Sequence, residues 1–174
     1  MSKKNRSLAL ITTIVSVLVV SSFFFYAHTQ TGEEEYDPRT TYGPEEHIIY
    51  TPDEIQWQDG PSTLPEGAEY VVLEGDPSDT GLFVVRLRFP DGYIIPPHIH
   101  PGFERITVLS GTFNVGHGET VESGNTQRLD AGGFTTLMPD MPHFAIIEGE
   151  TVVQQTSIGP SEIRYINPED DPRQ

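Results

Sequence analysis

Two hydrophobic patterns divide this chain. The first is an uncharged apolar run from Leu8 to Ala27. Twenty residues in a helix span about 30 Å, the thickness of a bilayer's hydrocarbon core, so the run predicts one transmembrane helix. No amphipathic face is visible in it, which argues against a buried core helix. A polar, acidic stretch follows, residues 28–46 with Pro38, Gly43 and Pro44, and predicts a linker. The second pattern is a series of short runs of β type separated by Gly, Pro, Asp and Asn. They are His47–Tyr50, Glu69–Leu73, Leu82–Phe89, Glu104–Leu109, Thr112–Gly116, Thr126–Leu129, Phe134–Met138, Phe144–Glu148, Thr151–Ile158 and Glu162–Ile166. Many short strands with frequent turn signals and no convincing soluble helix predict an all-β sandwich or barrel. Ser110-Gly111 and Gly149-Glu150 each read as a hairpin turn.

This gives a basic segment (1–7), a transmembrane helix (8–27), a linker (28–46), one barrel domain (47–166) and a surface tail (167–174). No internal repeat is present, so the barrel is single. Lys3, Lys4 and Arg6 precede the apolar run, and Glu33, Glu34, Glu35 and Asp37 follow it. The positive-inside rule then keeps the amino terminus in the cytoplasm and places the barrel outside, anchored to the cell membrane by a single pass. A cleaved signal peptide, giving a secreted domain, is the alternative. Against it stand the length of the apolar core and Ala27, which follows Phe25 and Tyr26 in place of an A-x-A pattern.

Charge narrows the choice of partners. The net charge is −16, and both lysines lie in the first four residues. From His28 onward seven arginines face 26 acids, a net of −19. Such a domain is repelled by nucleic acid and by anionic headgroups, which excludes a nucleic-acid role. There is no cysteine. Disulfides, thiolate metal sites, cysteine nucleophiles and lipoprotein acylation are therefore excluded, and any metal shell is built from nitrogen and oxygen.

The densest chemistry lies in Gly92-Tyr-Ile-Ile-Pro-Pro-His98-Ile-His100-Pro-Gly-Phe-Glu104, with Gly111 seven residues on. Side chains at i and i+2 of a strand share a face, so His98 and His100 point into one cavity. Glu104 has the same parity and joins them if the Pro101-Gly102 irregularity keeps the register. Two imidazoles and a carboxylate suit a divalent transition metal ion, one of Fe, Mn, Ni, Cu, Co or Zn.

This spacing resembles the first motif of the cupin superfamily, G-x5-H-x-H-x3-E-x6-G, at every fixed position. The second motif of that family, G-x5-P-x-G-x2-H-x3-N, is similar to Gly132 through Ile147 and places His143 at the ligand position. Met138, Asp140 and Ile147 depart from it, standing where the family has Pro, Gly and Asn. Asp tolerates a left-handed backbone, so the turn before His143 survives. The resemblance implies a double-stranded β-helix, or jelly-roll barrel, with one metal ion held by His98, His100, Glu104 and His143. A 3-His-1-Glu shell leaves positions for substrate or O2 on a metal that prefers five or six ligands.

The resemblance further implies a small-molecule substrate and a dioxygenase-like oxidoreductase, in which Glu104 is also the catalytic proton acceptor. Isomerases, decarboxylases and non-enzymatic sensor or sugar-binding modules of the same family remain alternatives. It also makes a homodimer plausible.

Other residues carry weaker signals. His117 reads as a solvent-facing hairpin residue, and His28 and His47 have no chemical context. Arg86 and Arg88 share one face of their strand; either they pair with surface acids or one grips a substrate carboxylate. Arg105, of opposite parity to Glu104, faces away from the metal. Phe103, Phe113, Phe134, Phe144 and Met138 are expected to build the cavity wall. Trp57 is assigned a packing role.

Overall fold

The computed structural model describes residues 47–174. The predicted transmembrane helix, the basic segment before it and the linker after it lie outside the described residues. Among the described residues no helix is long and apolar enough to cross a membrane. The only helical elements in this region are two 3-10 turns, Pro52–Glu54 and Pro168–Asp170.

Nine strands follow in chain order: β1 (Gln58–Asp59), β2 (Glu69–Glu74), β3 (Gly81–Phe89), β4 (Ile94–Ile99), β5 (Glu104–His117), β6 (Thr126–Asp130), β7 (Phe134–Leu137), β8 (His143–Gly159) and β9 (Arg164–Tyr165). All pairs are antiparallel. The two long strands, β5 and β8, pair along their whole length and are shared by two half-sheets. In the first half, the order is β1-β2-β3, the carboxyl half of β8, the amino half of β5, then β7. In the second half it is β9-β4, the amino half of β8, the carboxyl half of β5, then β6. The inner faces of both halves line one cavity, which gives the all-β jelly roll that the sequence predicts.

The expected hairpins at Ser110-Gly111 and Gly149-Glu150 do not form. Four predicted runs merge in pairs into β5 and β8, and the two glycines become the corner where both strands pass from one half-sheet to the other. The ladder shifts register there, between Val108 and Thr112, as expected where bulges bend a strand. Gly111 (φ +75°) and Gly149 (φ +72°) adopt left-handed backbone. Thr151, fully buried, ties the corner: its hydroxyl accepts from the Thr112 N–H at 3.0 Å and lies within donating distance of the Thr112 carbonyl. A glycine at positive φ looks the same locally in a turn and in a bulge; only the neighbouring strand separates them.

Elsewhere the runs hold with small changes. His47–Tyr50 forms no strand, and Glu162–Ile166 shortens to β9. Residues 167–174 are mostly exposed, and Arg173 donates to the Ile163 carbonyl at 3.2 Å. Alternation in β3 buries Phe83, Val85, Leu87 and Phe89 on the cavity side. Together with Ile106, Phe113, Leu137, Ala145, Ile147 and Val153 from the other strands, Leu87 and Phe89 belong to the main core cluster. Burying a Val, Leu, Ile or Phe side chain contributes about 1.5–3 kcal/mol.

Candidate metal centre

His98 and His143 are cross-strand partners on β4 and β8, so the sheet ladder itself sets them side by side, with ring centroids 4.2 Å apart. Both are almost wholly buried. Each is preceded by proline, in Pro96-Pro97-His98 and Met141-Pro142-His143. In both, Nδ1 faces the carbonyl two residues back, Pro96 at 2.6 Å and Met141 at 2.9 Å. The fixed φ of the intervening proline presets this local geometry. His100, one residue past β4, faces the Glu162 carbonyl with its Nδ1 at 2.7 Å.

Carbonyl oxygens only accept, so all three rings carry their proton on Nδ1 and turn bare Nε2 atoms inward. The three rings offer nitrogen atoms that lie within 4.8 Å of one another. The Nε2 atoms of His100 and His143 are buried and have no hydrogen-bond partner. Buried lone pairs without a partner are costly unless a ligand satisfies them.

Glu104 stands outside this three-histidine cluster but approaches two of its members from the other half-sheet. Its Oε2 lies 3.5 Å from both His100 Nε2 and His143 Nε2. Strand parity is therefore not what brings it there. The chain leaves the second half-sheet at His100, crosses through Pro101–Phe103 and re-enters in the first half at Glu104, opposite Leu137 and Ser157. Closure of the barrel delivers the carboxylate to the histidines.

The electrostatics suit a cation. Burial, aided by the charges of His143 and His100, pushes the His98 imidazolium down to about 3, so the ring stays neutral and able to donate a lone pair. Burial works to raise the Glu104 carboxyl, but His100 and His143 outweigh it and hold it at about 2. A carboxylate beside three imidazoles is a donor set for a divalent first-row metal ion, and the partnerless Nε2 atoms of His100 and His143 show that these residues fit one.

The turn before His143 survives its substitution as predicted. Asp140 is the one positive-φ residue other than glycine among the described residues, at φ 55°. Its N–H donates to the His100 carbonyl at 2.8 Å and its carboxylate meets Arg164 at 3.2 Å. The residue that departs from the motif thus ties one ligand segment to another. Ile147, at the Asn position, is simply core.

The centre lies in a cavity of about 390 Å³ whose remaining wall is mainly apolar. That is the small end of the range for ligand pockets. Several expected wall residues do not line it. Phe103, Phe134 and Met138 are exposed, because β7 is an edge strand and Phe103 sits in the crossing segment; Phe144 is buried outside the cavity against Gly116. Phe113 alone of that group lines it.

Arg86 and Arg88 point away, as the surface reading has it. Arg88 donates to Glu69 at 2.6 Å and stacks over Trp57, and Arg86 donates to Gln154; a grip on substrate is excluded for both. Arg105 also faces outward, over the Phe103 ring. His117 is the cross-strand partner of His143 on β5, yet it is exposed and outside the cluster.

One residue escaped the sequence reading. Gln155, 8% exposed, lines the cavity between Val153 and Ser157 on the inward parity of β8. The signal was present as a polar residue on the inward phase of Val152-Val-Gln-Gln-Thr-Ser-Ile158, but the adjacent Gln154 hid which amide faces in.

Comparison with known proteins agrees with this architecture. Residues 45–128 match the ChrR cupin-like domain family, a span that includes His98, His100 and Glu104 and ends before His143. Among solved structures, KdgF from Halomonas sp. is 23% identical with a TM-score of 0.50, covering 65% of this chain and 94% of its own. The polyketide cyclase RemF from Streptomyces resistomycificus is 14% identical with a TM-score of 0.61, covering 73% and 90%. A candidate acetylacetone dioxygenase from Methylibium petroleiphilum PM1 is 16% identical with a TM-score of 0.56, covering 74% and 88%. No curated protein sequence matches. With the jelly roll, both motifs and the inward-facing histidines in place, the chain has the cupin fold, and over residues 45–128 it is similar to the ChrR cupin-like domain.

Proposed function

We propose that this protein is a metal-dependent oxidoreductase of the dioxygenase type, acting on a small organic substrate outside the cytoplasm. The observation that carries this reading is the set of bare, buried imidazole nitrogens around Glu104 at the wall of an apolar cavity. The same fold carries a candidate acetylacetone dioxygenase.

His98, His100 and His143 would hold the metal through Nε2, each ring fixed by the carbonyl at its Nδ1. Bound there, the metal supplies a Lewis acid for a chelating substrate and a centre for O2 chemistry. Glu104 has two tasks, to ligate and to accept the proton that a hydroxyl or enol loses as it approaches the site. The apolar wall excludes water, which strengthens each of these interactions. Both atoms of O2 enter the organic product, so no outside reductant is required.

An oxygen electrode tests this. The iron-loaded protein should consume O2 only when a chelating substrate, such as a catechol or a 1,3-diketone, is added. Glu104→Gln should cut that rate by about 100-fold or more while O2-independent ligand binding persists. Uptake that ignores Glu104, or no uptake with the iron, manganese, nickel and copper forms, would overturn the reading.

The apolar run at residues 8–27 and the basic cluster before it support placing the barrel outside the membrane. The full-length chain should sediment with membranes and resist an alkaline wash. Release into the soluble fraction would instead favour a secreted domain.

A further inference from the structure

Among the described residues, no arginine or lysine lines the cavity. Each arginine among the described residues is engaged elsewhere: Arg86 with Gln154, Arg88 with Glu69, Arg105 over Phe103, Arg128 with Asp130 and Glu148, Arg164 with Asp140 and Glu162, and Arg173 with Asp171. None of them lines the cavity, and no lysine occurs after residue 4. The ionisable groups that do line it are the three histidines, Glu104 and, at the rim with Pro77 and Ser78, Asp76. Ser78 donates to the Asp76 carboxylate through both its N–H and its hydroxyl, which holds that acid below its ordinary range and keeps it negative.

A divalent ion held by three neutral imidazoles and one carboxylate retains a single positive charge. That charge accommodates one negative charge on the ligand atoms that reach the metal. A second negative charge further along the ligand would rest against Val85, Ile106 and Val153, with only uncharged polar side chains (Gln155, Tyr70, Thr63, Ser78 and Ser161) and the acid Asp76 on the wall to meet it. Burying an unpaired carboxylate is strongly unfavourable.

We propose that the cavity takes a small organic molecule with two neighbouring oxygens at its metal-binding end and an uncharged, apolar body, and that it rejects molecules carrying a carboxylate on that body. Gln155 is the wall position that enforces the choice, since among the uncharged polar side chains lining the cavity it is the buried one. This inference rests on the metal centre proposed above.

The test uses the full-length chain loaded with zinc, which is redox-inert, under nitrogen. Isothermal titration compares 4-methylcatechol with 3,4-dihydroxybenzoate, which share a chelating head and differ at the far end by a methyl or a carboxylate. The wild type should prefer 4-methylcatechol by at least about 30-fold. Equal or tighter binding of 3,4-dihydroxybenzoate overturns the proposal, and so does failure of the zinc-loaded chain to bind either probe. Gln155→Arg places a counter-ion in the wall and should narrow the preference by about tenfold or more; an unchanged preference overturns the role of Gln155. The wild-type comparison decides the charge rule without any variant. Zinc content, measured on the same samples, separates the two levels: a chain that holds no zinc sinks the metal reading, whereas a zinc-loaded chain with the wrong preference sinks only this inference.

Discussion

His143→Ala is expected to reduce metal content, measured by elemental analysis of protein purified without chelator, from about one ion per chain to a small fraction of that. Loss of a ligand exceeds the 10- to 100-fold drop in affinity usual for an outer-shell change, so the retained fraction should be below about one tenth. The fold should survive. His143 Nε2 has no partner in the protein, and its Nδ1 bond is to the carbonyl two residues back along its own segment. Removing the ring takes one of two imidazole neighbours from Glu104, whose Oε2 keeps His100 Nε2 at 3.5 Å. Far-ultraviolet circular dichroism should match the wild type, which separates ligand loss from unfolding. His117→Ala is the informative control, since His117 is the cross-strand partner of His143 yet is exposed and outside the cluster. It should keep its metal. Wild-type metal content in His143→Ala, or loss of metal in His117→Ala, would break the ligand assignment.

Gly111→Ala should destabilise the barrel by on the order of 3 kcal/mol or more, read as a lower urea midpoint. Two effects add. An alanine at φ +75° sits in the left-handed region, which costs about 1–2 kcal/mol. In addition its Cβ would lie 2.7 Å from the Thr151 Cα and inside the contact distance of the Glu150 carbonyl oxygen, both of them backbone that cannot rotate aside. Relief would require opening the corner that Thr151 ties to Thr112. Gly149→Ala supplies the comparison, with the same backbone strain at φ +72° but open space around the new Cβ. It should cost only about 1–2 kcal/mol. If the two variants lose the same stability, the close approach at the corner is not what Gly111 provides. The conclusion bears on function, because this corner folds β5 and β8 so that Glu104 and the histidines face each other.

These two positions mark how much could be read beforehand. The His-x-His pair and the downstream His143 were legible, as was the strand periodicity that buries Phe83, Val85, Leu87 and Phe89, because both depend on residues close in sequence. Arg105 facing outward followed from the same parity rule. The tolerance of Asp140 for positive φ was legible too, as a local property of the residue.

Exposure was harder. Phe103, Phe134 and Met138 were assigned to the wall on hydrophobicity alone, and the structure leaves all three at the surface. Whether an apolar side chain in an edge strand is covered depends on elements far away in the chain. The choice between a hairpin and a bend at Gly111 failed for a related reason. Positive φ serves both, and the distinction lies in whether a partner strand runs on alongside.

The sequence by itself therefore determined the all-β character, the donor types and the nitrogen-and-oxygen shell, since composition and short spacings specify these without reference to the rest of the molecule. Tertiary structure alone decided that Glu104 meets the histidines from across the barrel, that Gln155 and not Gln154 faces the cavity, and that no arginine among the described residues does. Each of these rests on how two half-sheets close around a common space. Antiparallel pairing between β5 and β8 sets that closure, joining Glu104 to Ser157 at one end and His117 to His143 at the other.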